Sequence, residues 1–303
     1  MIKITVVISA YNEEKNIKEC LESVRQLADE IILVDNASTD KTTTIASSVG
    51  RKVKIFTRSN NLMLNINKNF GFSKATNEWI LNLDADERVS KSLKHEIIKT
   101  LKQKNRVTGY WIPRKNIIFG KWIKHGIWWP DYQLRLFKKS KGKFPCKHIH
   151  EYLKVEGKTA KLQKALVHYN YQNISQYLYK LDKIYTENEA DNIIKTGKKL
   201  GWQDVLSMPA HDFLKTFFLQ EGYKDGVHGL VLSMLQGFYS LVTFAKVWEK
   251  QGFKQKQKGN FLKEVIFEFK KLAKEFNYWL IQSKLKTEKN FIKKMIIRIF
   301  KIT

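Results

Sequence analysis

The stretch LNLDADERVS, Leu81 to Ser90, places Asp84, Asp86 and Glu87 directly after an apolar run. Asp-X-Asp at the end of a buried strand puts two carboxylates on the loop that leaves the sheet. Both can reach a hard divalent cation such as Mg2+ or Mn2+, which takes oxygen ligands and keeps positions open for phosphate. Such a cation would neutralise a diphosphate and stabilise it as a leaving group. The same residues also suit a capped helix, with Asp86 or Ser90 at its N-terminus and Glu87 in the first turn. Which reading holds depends on the elements that carry the acids.

IKITVVIS, residues 2–9, reads as a buried strand rich in β-branched residues. YNEEKNI then opens a helix with Ile17, Cys20, Leu21, Val24 and Leu27 at helical spacing. EIILVD is a second buried strand ending on Asp35. A turn with a cap at Asp40, a short helix and Gly50 as its stop follow. VKIFTR is a third strand, 65–75 a helix, and EWILNLD a fourth strand ending on Asp84. Strands alternating with helices at this pace predict a doubly wound α/β sheet, in which ligands bind beyond the carboxyl ends of the strands. Ser9–Glu13, Asp35–Asn36 and Asp84–Glu87 all fall at such ends, so three polar clusters share one sheet edge.

From Val107 to about Tyr171 the chain turns into short aromatic strand-like pieces, and five of its eight tryptophans lie between Trp79 and Trp129. From Ser175 onward helices dominate. No internal repeat or low-complexity linker appears. A hydrophobic content of 43% with 13% aromatics describes a folded chain, and 303 residues suffice for a sizeable core. The net charge of +26 is unevenly spread. Met1–Ser90 carries 12 basic and 12 acidic residues, Lys91–Lys250 carries 29 and 13, and Gln251–Thr303 carries 14 and 4. A basic back half points to an anionic partner. Cys20 and Cys146 are too few for a disulfide scaffold, and Cys20 reads as core. The apolar N-terminal run is short and soon acidic, unlike a signal peptide, so a cytoplasmic protein is expected.

VVISAYNEEKNIKECLESV, IILVDNASTDKT and NFGFSKATNEWILNLDADE, in this order and spacing, resemble the family 2 glycosyltransferases over about Ile4–Arg88. The resemblance implies the GT-A fold, an α/β doubly wound mixed sheet, here with a helical C-terminal extension. It divides the chain into a nucleotide-sugar half (1–105), an acceptor half (106–172) and a basic, membrane-associating extension (173–303). It implies that Ser9, Ala10, Tyr11 and Glu13 shape the nucleotide pocket, that Asp35 contacts the base, and that Asp84 lies by the ribose while Asp86 binds the metal. Asn12, Asn36 and Ser38 are further candidates. The absence of a Gly-rich phosphate loop argues against a dinucleotide-binding or P-loop site.

Inverting transfer to a hydroxyl needs a base near the sugar carbon, and the middle region offers Glu151 and Asp131. DYQLRLFKKSKGKFPCKHIHEYL resembles the subgroup with lipopolysaccharide-core β-glucosyltransferases, in which an Arg-Leu-Phe strand precedes a His-Glu pair. The Glu-Asp pair more typical of the family is absent. His150, or else His148, is a candidate ligand for metal or phosphate, and Arg135 a candidate diphosphate clamp. Trp111, Trp122, Trp128 and Trp129 either stack on sugars or fill a small core.

Val227–Ala245 runs nineteen residues without a charge but carries His228, Ser233, Gln236, Ser240 and Thr243, which suits a buried or interfacial helix better than a span. Phe261–Leu280 and residues 292–300 read as basic amphipathic helices of the kind anionic membranes bind. The expectation is a metal-dependent inverting enzyme on the inner face of the cell membrane. It would use a UDP-sugar and a lipid-linked glycan, with polyprenyl phosphate as the rival acceptor. A nucleic-acid-binding protein and a silent scaffold are the rival classes. The neutral first ninety residues speak against nucleic acid, so it is not expected as a partner.

Overall fold

The computed structural model describes residues 2–50, 52–60, 64–103, 105–146, 151–254 and 259–300. Contacts divide the chain into two units: Met1–Trp122 with Trp129–Asn170, and Ile123–Trp128 with Tyr171–Thr303.

In the first unit, β1 (Ile4–Ala10), β2 (Glu30–Asp35), β3 (Val53–Thr57) and β4 (Trp79–Asp84) run parallel in the order β3-β2-β1-β4. β1, β2 and most of β4 are buried along their length, because helices cover both faces of this half of the sheet. On one face α1 (Ile17–Val24) and α4 (Lys91–Leu101) join Val6, Ile8, Leu81 and Leu83 in a single core. On the other, Phe72 of α3 (Leu64–Lys74), Ala75 just after it and nearby Phe144 meet Val7, Ile32, Val34 and Ile80. α2 (Thr42–Ser48) follows β2.

β5 (Glu87–Val89) comes directly after the acidic turn, so Glu87 stands in a strand. The helix that follows begins later, at α4, where the Ser90 side chain accepts from the Leu93 N–H. The capping reading of LNLDADERVS thus applies to Ser90 and not to Glu87. The sheet continues beyond β4 through β8 (Asp131–Lys138), β6 (Val107–Ile118), β12 (Leu166–Tyr171) and β5. β8 is antiparallel to both β4 and β6, so the sheet is mixed. β7 (Lys121–Trp122) and β11 (Lys158–Lys161) pair with β6, and β9 (Gly142–Lys143) pairs with β10 (Lys154–Val155).

Register brings the strand ends level. Ser9 lies beside Asp84, and Ala10 beside Asp35.

The second unit contains α5 (Ile174–Lys180), α6 (Glu187–Lys195), α7 (Asp204–Leu214), α8 (Val227–Lys250), α9 (Phe261–Thr287) and α10 (Phe291–Phe300). α8 packs on α6 and α7, α9 on α7, and α10 on α9. α8 is long and apolar enough to cross a membrane by length and composition. It buries small or polar residues, among them Gly229, Ser233, Gly237, Ser240 and Thr243, while Val227, Met234 and Phe238 are exposed.

α3 lies against the sheet through Gly71, where a Cβ would meet Val7 Cγ1 at 2.5 Å and Val34 Cγ2 at 3.0 Å. Those neighbours are β-branched and cannot swing aside. Gly71→Val is therefore expected to lower stability by about 1–3 kcal/mol in urea unfolding, as overpacking of a tight core does. An unchanged midpoint would show that α3 does not need this close approach.

Candidate active site

The loops leaving β1 and β2 are stitched together. The Asn12 N–H donates to Ser38 Oγ at 3.0 Å, Asn12 Oδ1 accepts from the Thr39 N–H at 2.8 Å, and the Glu13 N–H donates to Thr42 Oγ1 at 2.8 Å. Asp40 accepts from the Glu14 N–H at 3.0 Å. Asn12 and Ala37 both have positive φ, 53° and 58°. Ala37 has no side-chain hydrogen bond to offset that strain, and such residues persist where surrounding structure imposes them, often at functional sites. Tyr11 projects from this platform with 42% of its surface exposed, free to lie against a flat ring. Glu13 accepts from Asn16 Nδ2. Ala10 and Asp35 are buried, with Asp35 accepting from the Ser38 N–H at 3.2 Å. Asn36 is buried too. Its amide donates to Ser9 Oγ and to the Ala10 carbonyl, so it ties β1 to β2.

Asp84 has a cation on each carboxylate oxygen: Lys68 Nζ lies 2.6 Å from Oδ1, and Arg135 Nη2 donates to Oδ2. Burial alone would raise its pKa, but Arg135 and Lys68 hold it well below the usual carboxylate range. Arg135, expected to clamp a diphosphate, is itself buried. The same Nη2 reaches Glu87 Oε1 at 2.7 Å; burial alone would lower the arginine's pKa, but the charges of Asp84 and Glu87 raise it. Its guanidinium is shared between the two acids. Glu87 is fully buried and also accepts from the Asp84 N–H at 3.0 Å. Arg114 stands 3.5 Å from Glu87 and 2.6 Å from Asp131.

Asp131 continues the chain. It accepts from Asn116 Nδ2 at 3.3 Å and from Gln133 Nε2 at 2.8 Å. Despite burial, Arg114 and these donors lower its pKa. Asn116 Oδ1 lies 2.6 Å from His168 Nδ1, and His168 Nε2 lies 3.4 Å from Asp86 Oδ2. A carboxylate only accepts, so the Asn116 amide nitrogen must face Asp131 and its oxygen must face His168. His168 Nδ1 therefore carries a proton, and in the neutral ring Nε2 turns a lone pair towards Asp86. A circuit of side chains from α3, β4, β5, β6, β8 and β12 thus joins Asp84 to Asp86. Asp84, Asp86, Glu87 and Asp131 oppose Lys68, Arg114 and Arg135, which leaves one negative charge in excess when His168 is neutral.

Asp86 and His168 are the pair that fits a divalent cation, since a carboxylate oxygen and a histidine whose other nitrogen is already fixed are ordinary ligands. Among the described residues no group of three His, Cys, Asp or Glu side chains gathers for a metal. His148 and His150, expected near the metal, lie outside the described residues. His168, which sequence reasoning passed over, had a detectable signal. Leu166, His168 and Asn170 alternate inward on β12, and polar residues at inward positions need a reason.

Glu151 is held from α3: its Oε1 accepts from Asn65 Nδ2 at 3.3 Å and from the Cys146 N–H. Asn69 on the same helix fixes the neighbouring strand end, exchanging bonds of 2.9 and 2.8 Å with the Phe144 N–H and carbonyl. Asn65 and Lys68, three apart on one helical face, therefore serve Glu151 and Asp84 respectively. Trp122 and Trp129 stack edge to face with each other in the first unit, while Trp128 packs on Tyr171 in the second. A groove of about 770 Å³ beside Asn77, Glu78 and Lys141 lies at the other end of β4 and is not this site.

A mixed sheet whose parallel strands end in a stitched loop platform and an Asp-X-Asp turn, completed by antiparallel strands that return a histidine to the acids, defines a GT-A nucleotide-sugar transferase. The chain belongs to the family 2 glycosyltransferases: the model for Glycosyl transferase family 2 matches residues 5–153, and relatives match beyond it. An uncharacterized glycosyltransferase of Rickettsia conorii is 30% identical over 86% of this chain and 98% of its own. The lipopolysaccharide core biosynthesis glycosyltransferase LpsC of Rhizobium meliloti is 24% identical over 84% of this chain and 94% of its own. Among solved structures, S. aureus TarS 1-349 in complex with UDP-GlcNAc aligns over 83% of this chain and 92% of that one, with 14% identity and a TM-score of 0.43. The Pyrobaculum calidifontis mannosyltransferase PcManGT, in complex with GDP-Man and Mn2+, aligns over 84% and 76%, with 16% identity and a TM-score of 0.44. At such scores these likenesses carry no functional weight.

Arg135→Ala would strand the buried Glu87 with Arg114, at 3.5 Å, as its remaining salt-bridge partner among the described residues. A loss of about 3–5 kcal/mol is expected by urea unfolding, with Arg135→Lys recovering part of it because lysine lacks the fork. Asp84, the acid that Arg135 holds with Lys68, has a depressed folded pKa. Its contribution is complete above about pH 4 and is lost as pH falls through the folded value. Wild type should therefore lose stability towards acid more steeply than Arg135→Ala, and equal slopes would remove Asp84 from the network.

Proposed function

We propose that this glycosyltransferase moves a sugar, with inversion at the anomeric carbon, from a UDP-sugar to a hydroxyl of a lipid-linked glycan such as a lipopolysaccharide inner core, with Mg2+ or Mn2+ bound at the acids. The observation that carries the metal-dependent reading is the Asp86–His168 pair at 3.4 Å. Two lone-pair donors set face to face need a positive charge between them, either a proton or a metal ion. The pair stands at the strand ends beside the loops that would hold a nucleotide, where a diphosphate calls for the metal. Bound there, the ion supplies positive charge to the departing diphosphate. Asp84, neutralised by Lys68 and Arg135, is left to accept hydrogen bonds from the donor rather than to bind metal. Tyr11 offers its face to the base.

Glu151 is the better base. Asp131 is ion-paired with Arg114, and its lowered pKa makes it a poor proton acceptor. Glu151 accepts from the Asn65 amide and the Cys146 N–H, and it is the acid of the His-Glu pair that the family resemblance puts forward. It would take the acceptor proton as the hydroxyl oxygen bonds to the anomeric carbon and the bond to the diphosphate breaks on the opposite face. The acceptor class draws on the relative named for lipopolysaccharide core biosynthesis and on the excess of basic residues in the later chain.

Calorimetry of UDP binding with and without Mn2+ tests the donor side. Wild type should bind with metal, and Asp86→Ala or His168→Ala should remove the metal-dependent part. Asn116→Ala, which frees the tautomer, should weaken Mn2+ about 10–100-fold. No nucleotide binding under either metal would sink the reading. For the acceptor side, Glu151→Gln should cut turnover about 10²–10⁴-fold while UDP binding stays intact. Full turnover in that variant would point instead to a phosphate acceptor such as polyprenyl phosphate, which needs no base.

A further inference from the structure

We propose that α10 docks this chain on an anionic lipid bilayer, lying in the plane of its surface. The proposal stands apart from the transferase reading, since no residue of the Asp84–Asp86 circuit enters it.

α10 is ten residues, about 15 Å long. Its apolar side faces away from the protein. Phe291, Ile292, Met295, Ile296 and Ile299 are 77, 66, 51, 44 and 62% exposed, whereas Ile297 is buried on the opposite side. At 100° per residue the exposed five span an arc of about 140°, and Ile297 points roughly opposite its middle. Folding in water does not by itself turn five large apolar side chains outward on one face, and a patch of this kind marks a contact surface.

The charges on either side name the partner. Lys293 and Arg298 border the apolar arc on opposite edges, both exposed, and among the described residues neither enters a salt bridge. Lys284 and Lys289 precede them beside the acid Glu288, while Lys286 is paired with Glu221. An apolar stripe with cations along its edges matches the boundary between acyl chains and anionic headgroups. It does not match a second copy, because a two-fold contact would bring Lys293 and Arg298 towards their own images. α8 also shows an apolar face, but its bordering lysines are occupied: Lys246 lies 2.9 Å from Asp182, and Lys250 lies 2.8 Å from Asp191. α8 therefore lacks the free charge that anionic lipid requires.

So short a helix would not hold together alone in water. Here α9 packs against it, and Ile297 on the side away from the exposed arc is buried, so the docking face is formed before any membrane arrives. Little ordering entropy then opposes binding.

Vesicle flotation of the full chain tests this, with phosphatidylcholine alone and with phosphatidylcholine mixed with phosphatidylglycerol. Wild type should float with the anionic vesicles and not the neutral ones, and added salt should weaken flotation only in part. Ile292→Asp with Ile296→Asp should lower partitioning more than tenfold at an unchanged melting temperature. Lys293→Gln and Arg298→Gln should each lower it roughly fivefold. If the double Asp variant melts early, the two Gln variants, at exposed positions, decide the matter. Failure of wild type to float, or flotation of the Asp and Gln variants at wild-type strength, overturns the proposal. So does loss of flotation on Met234→Asp in α8 with α10 substitutions silent. A double Asp variant that still floats but falls from dimer to monomer in light scattering would give the face to a second copy and overturn it as well.

Discussion

The first unit depends on a buried carboxylate. Glu87 has no exposed surface, and a charge that deep is tolerated only when cations and donors surround it. Arg135 from β8 and Arg114 from β6 supply the charge, and Glu87 in turn accepts the Asp84 N–H. Meeting that requirement fixes how β4, β5, β6 and β8 lie at the acidic end of the sheet. The acids that face outward are thus set by one that does not. Removing either arginine would disturb structure and site together.

Strain and polarity cluster where the parallel strands end. Asn12 and Ala37 sit in left-handed conformations on adjoining loops, and side-chain bonds between those loops hold them there. The layout leaves Tyr11 exposed above a rigid floor.

Much of this was legible in the sequence, and the reason is local. Buried strands such as EIILVD announce themselves by composition, and the three polar strand ends follow from counting elements. Asp86 and Ser90 were visible because an acid after a strand and a serine before a helix act on near neighbours. His168 and Lys68 were not visible in this way. Lys68 meets Asp84 because α3 packs at Gly71, and His168 meets Asp86 because β12 pairs with β5 at His168–Glu87. Arg135 was noticed but its pairing with Asp84 and Glu87 was not, because facing inward depends on how β8 pairs with β4. Such register is set by the completed sheet, which no local pattern encodes.

α3 touches both ends of the chemistry. Asn65 holds Glu151 and Lys68 holds Asp84, and they are one helical turn apart on a rod that cannot stretch. The separation between the residue proposed to take a proton and the acid beside the donor is therefore gauged by a covalent ruler, not by loops that drift. Relatives that keep this helix but take other acceptors would be expected to vary the segment carrying Glu151 and leave the ruler alone. Descent with new specificity would then show as change in the segment that carries Glu151 and stillness along α3.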